Sequence, residues 1–527
     1  MNYTKHVRTD ATQQTEPIFG KDQIQNSAGG FVFAVDDWKR LDRFLILGSE
    51  GGSYYASERK LTVESAKGVL NCLKADGVRV VDRALEISEQ GRAPKNDSAL
   101  FVLAMAAGMG DDATRYAACM ELPRIARTGT HLFTFLENIR AFRGWGRGLR
   151  SAVSRWYTGK DADSLAYQLV KYRQRNGWTH DDVLRLSHPV PSTAAHQALF
   201  RWVTKDEMLG DLPELVLAFV RMQEAKDAKD VIGLVEAHPD ITWEMIPSKF
   251  LGSPDVWEAL LPNMPQAALV RNLARMTANG LIRPLGDATR VVCERLVDET
   301  RIRKARLHPI AILGALATYR MGHGARGTLT WSPVTEAVDA LDQAFYRAFG
   351  AIKGSGKRTL LALDVSDSME MSEIAGMPGI TPRIASAAMA MVTARTETSH
   401  AFMAFSHHFV PLNISPRQRL DDVVETMERV PYGGTDCALP MIWAAKNRVE
   451  VDVFSIYTDS ETWAGNIHPV QALQEYRRKM GISAKLVVVG MVANEFSIAD
   501  PNDAGTLDVV GFDTATPDLI ADFSQES

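Results

Sequence analysis

The sequence predicts a multidomain protein of two unlike parts, an α-solenoid followed by a doubly wound, mostly parallel α/β domain. From residue 36 to about residue 346, amphipathic windows of helical length recur between Gly, Pro and Asx turns, and strand-like alternation is scarce. Beyond residue 358, short apolar runs alternate with amphipathic windows, which is the pattern of parallel strands connected by helices. The length of 527 residues also favours at least two domains.

The first part is predicted to consist of helix pairs stacked side by side. Helices are expected at residues 63–75, 98–108, 112–125, 132–142, 145–156, 164–174, 211–223 and 264–278. Roughly 300 residues of consecutive antiparallel helices do not close one compact core easily, so a solenoid is the natural architecture. No clean sequence period is visible, which favours irregular repeats of the HEAT type.

The second part is predicted to follow a glycine-rich linker at residues 350–358. This linker is not a phosphate-binding P-loop, because Arg358 stands where Ser or Thr is needed. Strands are expected at residues 359–365, 400–405, 451–457 and 484–491, and helices at residues 382–397, 417–428, 437–447, 468–480 and after residue 516. The two domains are therefore placed at residues 29–349 and 359–527, and residues 1–28 are expected to form an N-terminal arm.

Composition narrows the location and the chemistry of the protein. No apolar run approaches 18 residues and the N-terminus is polar, so we expect a cytoplasmic protein without a membrane span. The four cysteines are scattered and form no Cys-x-x-Cys pair, which predicts free thiols. Because the net charge is −5, any nucleic-acid surface must be a local basic patch.

Five oxygen side chains predict a metal site at one edge of the α/β sheet. Asp364, Ser366 and Ser368 alternate just past the end of a buried strand, so they point the same way. Thr435 lies in a glycine turn and Asp459 follows another predicted strand. Because such sheets bind ligands at the carboxyl ends of their strands, we expect one site for a hard divalent cation. Mg²⁺ is the first choice, Mn²⁺ and Ca²⁺ are alternatives, and zinc is disfavoured.

Ser and Asp after a strand are also ordinary turn and helix-cap residues, which is the alternative interpretation of residues 364–368 taken alone. All three segments together resemble the metal-ion-dependent adhesion site of a von Willebrand factor A domain. With few protein carboxylates, such a site leaves a coordination position open for water or for an incoming acidic group.

Residues 124–175 form a strongly basic stretch within this acidic chain. Eleven Arg and Lys residues occur there against only three carboxylates, and aromatic residues are interleaved with them. Basic side chains contact phosphates while aromatic rings stack on unpaired bases, so the mixture suits RNA with helical and single-stranded parts. The candidate contacts in this stretch are Arg140, Arg143, Arg147 and Arg173. A solvated helix face with the aromatic residues in the core is the alternative for any single helix.

The whole chain from about residue 23 onward resembles the Ro autoantigen family, ring-shaped RNA-binding proteins with a TROVE domain followed by a von Willebrand factor A domain. The matching segments are residues 43–55, 130–135 (Thr-His-Leu-Phe-Thr-Phe), 171–178 (Lys-Tyr-Arg-Gln-Arg-Asn-Gly-Trp), 184–188, 271–273, 276–279, 435–437, 440–443 and 499–501. The resemblance implies a ring of HEAT-like repeats closed by the A domain. It also implies Y RNA binding on the outer surface, and binding of single-stranded 3′ ends of misfolded or structured noncoding RNA in the central hole.

Three residues match the family's Y RNA contacts, namely Lys171, Arg175 and His188. Without the resemblance, a single His before Pro is more often a turn residue. Asp181 departs from the family pattern, because animal relatives tend to carry a basic residue there, and this puts the local RNA contact in doubt. The resemblance further implies cooperation with a 3′ exoribonuclease such as polynucleotide phosphorylase. A ring closed within one chain needs no second copy, so we expect a monomer.

The sequence does not predict an enzyme. A phosphatase with Asp364 as nucleophile would need a second Asp two residues on, where this chain has Ser366. No serine-hydrolase elbow, zinc-protease motif or dinucleotide fingerprint is present. The alternative function is a cation-dependent protein-interaction scaffold, in which the adhesion site binds a partner's carboxylate. The basic stretch distinguishes the two hypotheses, because a protein scaffold does not need it.

Overall fold

A computed structural model describes residues 11–48, 66–324, 328–350, 352–370, 373–374, 379–431 and 433–526. The chain divides into two compact units. The helical unit comprises Leu70–Gly91 and Lys95–Ala348, and the α/β unit comprises the chain up to Val69, Arg92–Pro94 and Phe349–Ser527. The predicted order, a helical region followed by a mostly parallel α/β domain, is confirmed.

The helical unit is built almost entirely from helices of the predicted kind. Its helices are α2 (Lys67–Gln90, whose first residues belong to the other unit), α3 (Asp97–Met109), α4 (Asp112–Ile125), α5 (Gly129–Arg140), α6 (Arg147–Thr158), α7 (Ala162–Lys171), α8 (His180–Ser187), α9 (Ala194–Lys205), α10 (Glu214–Glu224), α11 (Ala228–Ala237), α12 (Pro254–Leu260), α13 (Gln266–Ala278), α14 (Asp287–Leu296), α15 (Glu299–Lys304), α16 (Pro309–Met321) and α17 (Thr335–Arg347). A short hairpin of β3 (Gln174–Arg175) and β4 (Trp178–Thr179) interrupts them.

Local sequence explains where these helices begin. Asp111 caps α4 by accepting a hydrogen bond from the Thr114 backbone N–H at 2.8 Å, and Asp161 caps α7 in the same way through Ser164. Neighbouring helices pack in an order that follows the chain, with α3 against α4 and α5, and α16 against α17. Large apolar side chains such as Trp156 and Trp257 are fully buried between them and supply the core.

The α/β unit has a six-stranded sheet in the order β11, β9, β8, β5, β6, β7. Its strands are β5 (Thr359–Asp364), β6 (His400–Phe405), β7 (Phe409–Pro411), β8 (Val453–Thr458), β9 (Lys485–Gly490) and β11 (Thr506–Val510). Its helices are α1 (Asp37–Leu47), α18 (Pro382–Thr396), α19 (Leu420–Glu428), α20 (Leu439–Asn447), α21 (Pro469–Met480) and α22 (Thr516–Gln525). All neighbouring pairs are parallel except β6 with β7. Strand β5 is central and every one of its residues is buried, which accounts for its uninterrupted apolar run.

The first residues that the structure describes belong to the α/β unit. Strands β1 (Gln23–Gln25), β2 (Phe31–Ala34) and β10 (Phe496–Ser497) form a second small sheet, in which β2 lies between the other two. Val32 and Phe496 join the apolar core of the α/β unit. The segment that precedes the helices is therefore held by residues far along the chain, and the α/β unit includes residues that the sequence assigns to the helical domain.

Two findings concern composition. All four cysteines are free, as predicted. Over the described ranges, no helix combines the length and the apolar character needed to cross a membrane.

Candidate functional site

The first candidate site lies at the carboxyl end of strand β5. Asp364 is the last residue of the strand and is fully buried. Its Oδ1 accepts a hydrogen bond from the Ser366 backbone N–H at 2.9 Å, and the Ser366 and Ser368 hydroxyl oxygens lie 3.2 Å apart. The alternating positions 364, 366 and 368 therefore bring their oxygens to one place, as the sequence predicts.

The other two predicted segments meet this end of β5. Strand β8 runs parallel to β5, so Asp459, just past its end, comes close to Asp364. Thr435 lines the same cavity as Ser366 and Ser368. This cavity has a volume of about 450 Å³. The structure thus gathers all five predicted ligands at one edge of the sheet.

The electrostatics of this cavity favour a cation. Burial and the neighbouring Asp459 charge raise the pKa of Asp364 to about 7, and burial also raises the pKa of Asp459. Burial and the Asp459 charge raise the pKa of Glu461 to about 7, although hydrogen bonds from residues 27 and 28 partly offset this. Such carboxylates are costly to keep ionised unless a positive charge joins them.

The donor set also fits a particular class of metal. Within the described ranges, no group of three or more His, Cys, Asp or Glu side chains is placed to hold a metal ion. The site instead combines the carboxylates of Asp364 and Asp459 with the hydroxyls of Ser366, Ser368 and Thr435. Oxygen ligands with few charges suit Mg²⁺, Mn²⁺ or Ca²⁺ and leave room for water or an external carboxylate.

Several residues that build this site have no signal in the sequence. The Thr458 hydroxyl donates to Asp364 Oδ2 at 2.6 Å and so fixes the second carboxylate oxygen. Gln14 is fully buried, and its side-chain N–H donates to Asp436 Oδ1 at 2.7 Å. The Thr462 hydroxyl donates to Gln14 Oε1 at 2.6 Å, so the N-terminal segment joins the two loops that follow Thr435 and Asp459.

The second candidate site is a basic surface on the helical unit. The hairpin β3–β4 lies against α5, because Trp178 Nε1 donates to Glu137 Oε2 at 3.2 Å. The Trp145 and Trp178 rings lie 6.3 Å apart between centroids, which brings the segment joining α5 to α6 against the hairpin. Four predicted RNA contacts sit on these elements and are exposed, namely Arg140, Arg143, Arg147 and Arg175.

The remaining predicted contacts lie nearby on α7 and α8. Lys171 ends α7 and is half-buried, with Nζ donating to the Tyr167 hydroxyl at 2.7 Å and lying 5.3 Å from the Tyr172 ring centroid. Arg173 is exposed, and its guanidinium lies 5.3 Å from the Phe219 ring centroid. His188 ends α8 in a left-handed conformation, with φ of 48°, and is exposed.

Acidic Asp181 shares a cavity of about 520 Å³ with Arg173. Its carboxylate accepts a hydrogen bond from Arg185 at 2.7 Å, and both side chains are well exposed. The departure from the family pattern thus creates a local ion pair beside the predicted RNA contacts.

Other basic residues of the stretch make contacts within the helical unit. Arg124 pairs with Glu89, Arg127 donates to the Ser88 hydroxyl, Arg155 donates to the Cys119 carbonyl, and Lys160 lies 3.6 Å over the Trp156 ring.

The aromatic residues of the stretch fall into a buried group and a half-buried group. Phe133, Phe135, Trp156 and Tyr157 are fully buried and cannot stack on a base, whereas Trp145, Tyr172 and Trp178 are half-buried. The alternative interpretation of core aromatics is therefore correct for the buried four.

Comparisons with known proteins cover nearly the whole chain. Residues 24–224 and 237–318 match the TROVE domain, and residues 358–524 match the Ro60 vWA domain. The RNA-binding protein RO60 of Deinococcus radiodurans is 42% identical over 518 residues, which is 97% of each chain. The RNA-binding protein RO60 of Caenorhabditis elegans is 34% identical over 584 residues, covering 95% of this chain and 90% of that one. The crystal structure of the Deinococcus radiodurans RO (RSR) protein superposes with a TM-score of 0.71 at 41% identity, over 93% of this chain and 99% of the other.

Proposed function

This chain belongs to the Ro60 family of RNA-binding proteins, and on that premise we propose that it is an RNA-binding scaffold for noncoding-RNA quality control. In this proposal, small noncoding Y RNA binds the outer surface of the helical unit. Single-stranded 3′ ends of misfolded or structured noncoding RNA bind in the central hole that the family resemblance implies. The protein supplies binding and orientation and is not itself an enzyme.

One observation supports this proposal above the others, the cluster of exposed guanidinium groups on the helical unit. Arg140 ends α5, Arg143 follows it, Arg147 begins α6 and Arg175 lies in the hairpin, in a chain of net charge −5. Exposed guanidinium groups contact phosphate oxygens, and two half-buried Trp rings beside them can stack on unpaired bases. Contacts of this kind select the shape and flexibility of an RNA more than its sequence.

Measuring RNA affinity at a series of salt concentrations tests this surface. Each basic side chain that neutralises a phosphate contributes about −0.7 to −0.9 to the slope of log affinity against log salt. We expect Lys171→Ala with Arg175→Ala to weaken binding of a small structured RNA and to make the slope shallower by about 1.4 to 1.8. The matched control is Lys226→Ala with Lys229→Ala, two exposed residues of the helical unit outside the basic stretch. An unchanged slope in the first variant, or an equal change in the control, would refute the assigned surface.

The adhesion site is proposed to hold a divalent cation, foremost Mg²⁺, with Mn²⁺ or Ca²⁺ as alternatives. Asp364 and Asp459 supply charge, and Ser366, Ser368 and Thr435 supply neutral oxygens. When bound, the cation supplies an electrophilic centre that can accept a carboxylate from another molecule. These five side chains would hold the cation beside the cavity that Ser366, Ser368 and Thr435 line, which supports a role in recruiting an acidic protein partner.

Partner and location complete the proposal. A 3′ exoribonuclease such as polynucleotide phosphorylase is the expected enzyme partner, because a scaffold that gathers 3′ ends needs a nuclease to act on them. We expect a monomer in the cytoplasm. The alternative function, a cation-dependent protein scaffold without RNA, draws on the same cavity but leaves the exposed arginine cluster without a role.

A further inference from the structure

Glu461 stands out among the side chains around the proposed cation site, because it is not one of the five predicted ligands. It is only 4% exposed and lines the same cavity as Ser366 and Thr435. Its Oε2 accepts a hydrogen bond from the Ala28 backbone N–H at 3.0 Å. Its Oε1 is buried and accepts no hydrogen bond from the described residues. A buried carboxylate oxygen without a partner is costly, so such a group in a cavity wall calls for a ligand.

An aromatic ring lies beside this carboxylate. Trp463 is 43% exposed and lines the cavity, and its backbone N–H donates to the Thr435 carbonyl at 3.0 Å. The ring packs against Gly434 so closely that a Cβ there would lie 2.9 Å from Trp463 Cζ2. A side chain at position 434 would therefore displace the indole, which lies directly against Gly434 at the cavity wall.

The charged side chains described in the lining of this cavity are all acidic. Its lining includes Asp367 and Glu461, with Asp364 and Asp459 buried behind it, and the described lining contains no Lys or Arg. A single divalent cation cannot neutralise four carboxylates. A carboxylate next to an exposed Trp ring is the combination that recognises a Lys or Arg side chain, through an ion pair and a cation–π contact.

We propose that Glu461 and Trp463 form a second subsite, which binds a Lys or Arg side chain of the partner protein. The same segment of that partner supplies the carboxylate that completes the coordination of the cation. This inference rests on the proposed cation site and specifies its partner, a peptide segment with an acidic and a basic side chain close together. The cavity volume of about 450 Å³ lies within the usual range for ligand pockets, about 300–1,000 Å³. The subsite explains how a cation that accepts any carboxylate can select one partner.

Short peptides and Mn²⁺ test the subsite on the full-length protein. The probe is a blocked peptide with one Asp and one Arg separated by a glycine, in both orders, and the matched probe carries citrulline in place of Arg. Broadening of the peptide proton signals by bound Mn²⁺ measures binding next to the cation, and electron paramagnetic resonance measures Mn²⁺ affinity separately. We expect at least one Arg peptide to bind about tenfold or more tightly than its citrulline match, since a charged hydrogen bond of about 1.5 kcal/mol corresponds to that ratio.

Two variants assign the effect to the subsite. Glu461→Gln should abolish the preference for Arg while changing Mn²⁺ affinity less than threefold, and Trp463→Leu should reduce the preference severalfold. If Glu461→Gln fails to fold, the Trp463 variant alone decides the outcome. Equal binding of Arg and citrulline peptides by the wild type would overturn the inference, as would absence of any peptide binding. A tenfold loss of Mn²⁺ affinity in Glu461→Gln would also overturn it, by making Glu461 a support of the cation.

The same experiment separates this inference from the proposal beneath it. If the wild type binds no Mn²⁺, the cation site fails and the subsite fails with it. If the wild type binds Mn²⁺ but shows no preference among peptides, only the subsite fails.

Discussion

Replacement of Asp364 by Asn should remove most of the stabilisation that divalent cations give to the folded protein. Asp364 is fully buried against Asp459, so in the absence of a cation the two carboxylates oppose folding. The Asn side chain has the same shape and no charge, and the Thr458 hydroxyl can rotate to accept from its amide. We therefore expect the Asn variant to be at least as stable as the wild type in a chelator.

With the cation present, the wild type should become more stable than the Asn variant. A ligand at a hundredfold excess over its dissociation constant stabilises the folded state by about 2.7 kcal/mol. In a domain of 150–250 residues, about 1 kcal/mol raises the melting temperature by roughly 2–4 °C, so the α/β unit should gain about 5–11 °C. The Asn variant has lost one of the two predicted charged ligands and should gain little at the same concentration.

Calorimetric unfolding in EDTA, Mg²⁺ and Mn²⁺ measures both effects. The matched control is Asp367→Asn, which removes an exposed carboxylate from the same cavity but none of the five predicted ligands. This control should keep the wild-type response. An equal cation-induced shift in wild type and Asp364→Asn, or no shift in the wild type, would refute the reasoning.

Two further predictions concern the fold that supports the sites. Arg43 is 2% exposed and donates to both Asp508 carboxylate oxygens, at 2.9 and 2.7 Å. Arg43→Met should therefore leave the buried Asp508 charge unpaired and lower the free energy of unfolding in urea by about 3–5 kcal/mol. A loss below about 1 kcal/mol would contradict this prediction. Burial lowers the pKa of His180 to about 3, so below its ordinary value near 6.5 the unfolded chain takes up more protons than the folded one. The helical unit should therefore lose stability as pH drops from about 6.5 toward 3, by up to about 1.4 kcal/mol per pH unit from this group. In His180→Gln, the urea midpoint should fall less steeply with decreasing pH than in the wild type. Equal pH dependence in both proteins would show that another group is responsible.

Much of the α/β unit was predictable because its signals are local. Strand β5 is buried on both faces, so its apolar run appears in the sequence without interruption. The five oxygen residues of the adhesion site lie at strand ends or in a glycine turn, and the parallel sheet necessarily brings strand ends to one edge. Helix α4 matches its predicted range because Asp111 marks its start.

What could not be predicted depends on distant partners. Strand β2 pairs with β10 across more than 400 residues, and no local pattern in the polar N-terminal segment indicates that pairing. The role of Gln14 was equally unpredictable, since only the folded chain shows that it bridges two loops of the site. The sequence does not predict the very short β10 or the edge strand β7, because two or three residues are too few to show a periodicity.

The basic stretch shows a different limit. Composition identifies its charge but not which side chains face outward, because that depends on helix packing. Arg127 is tied to Ser88 and Arg155 to the Cys119 carbonyl, whereas Arg143 and Arg147 are exposed. The predicted contacts of this stretch are exposed except for the half-buried Lys171, yet four of the aromatic residues counted beside them belong to the core.

Recovery of the bound RNA tests the central claim most directly. The wild type, the Lys171→Ala/Arg175→Ala variant and the Lys226→Ala/Lys229→Ala control would be purified from the native host, and the associated RNA sequenced. We expect wild type and control to enrich one small structured noncoding RNA that the first variant loses. If no RNA is enriched on the wild type, or if the first variant retains the same RNA in full, the proposed RNA scaffold and its assigned surface are contradicted.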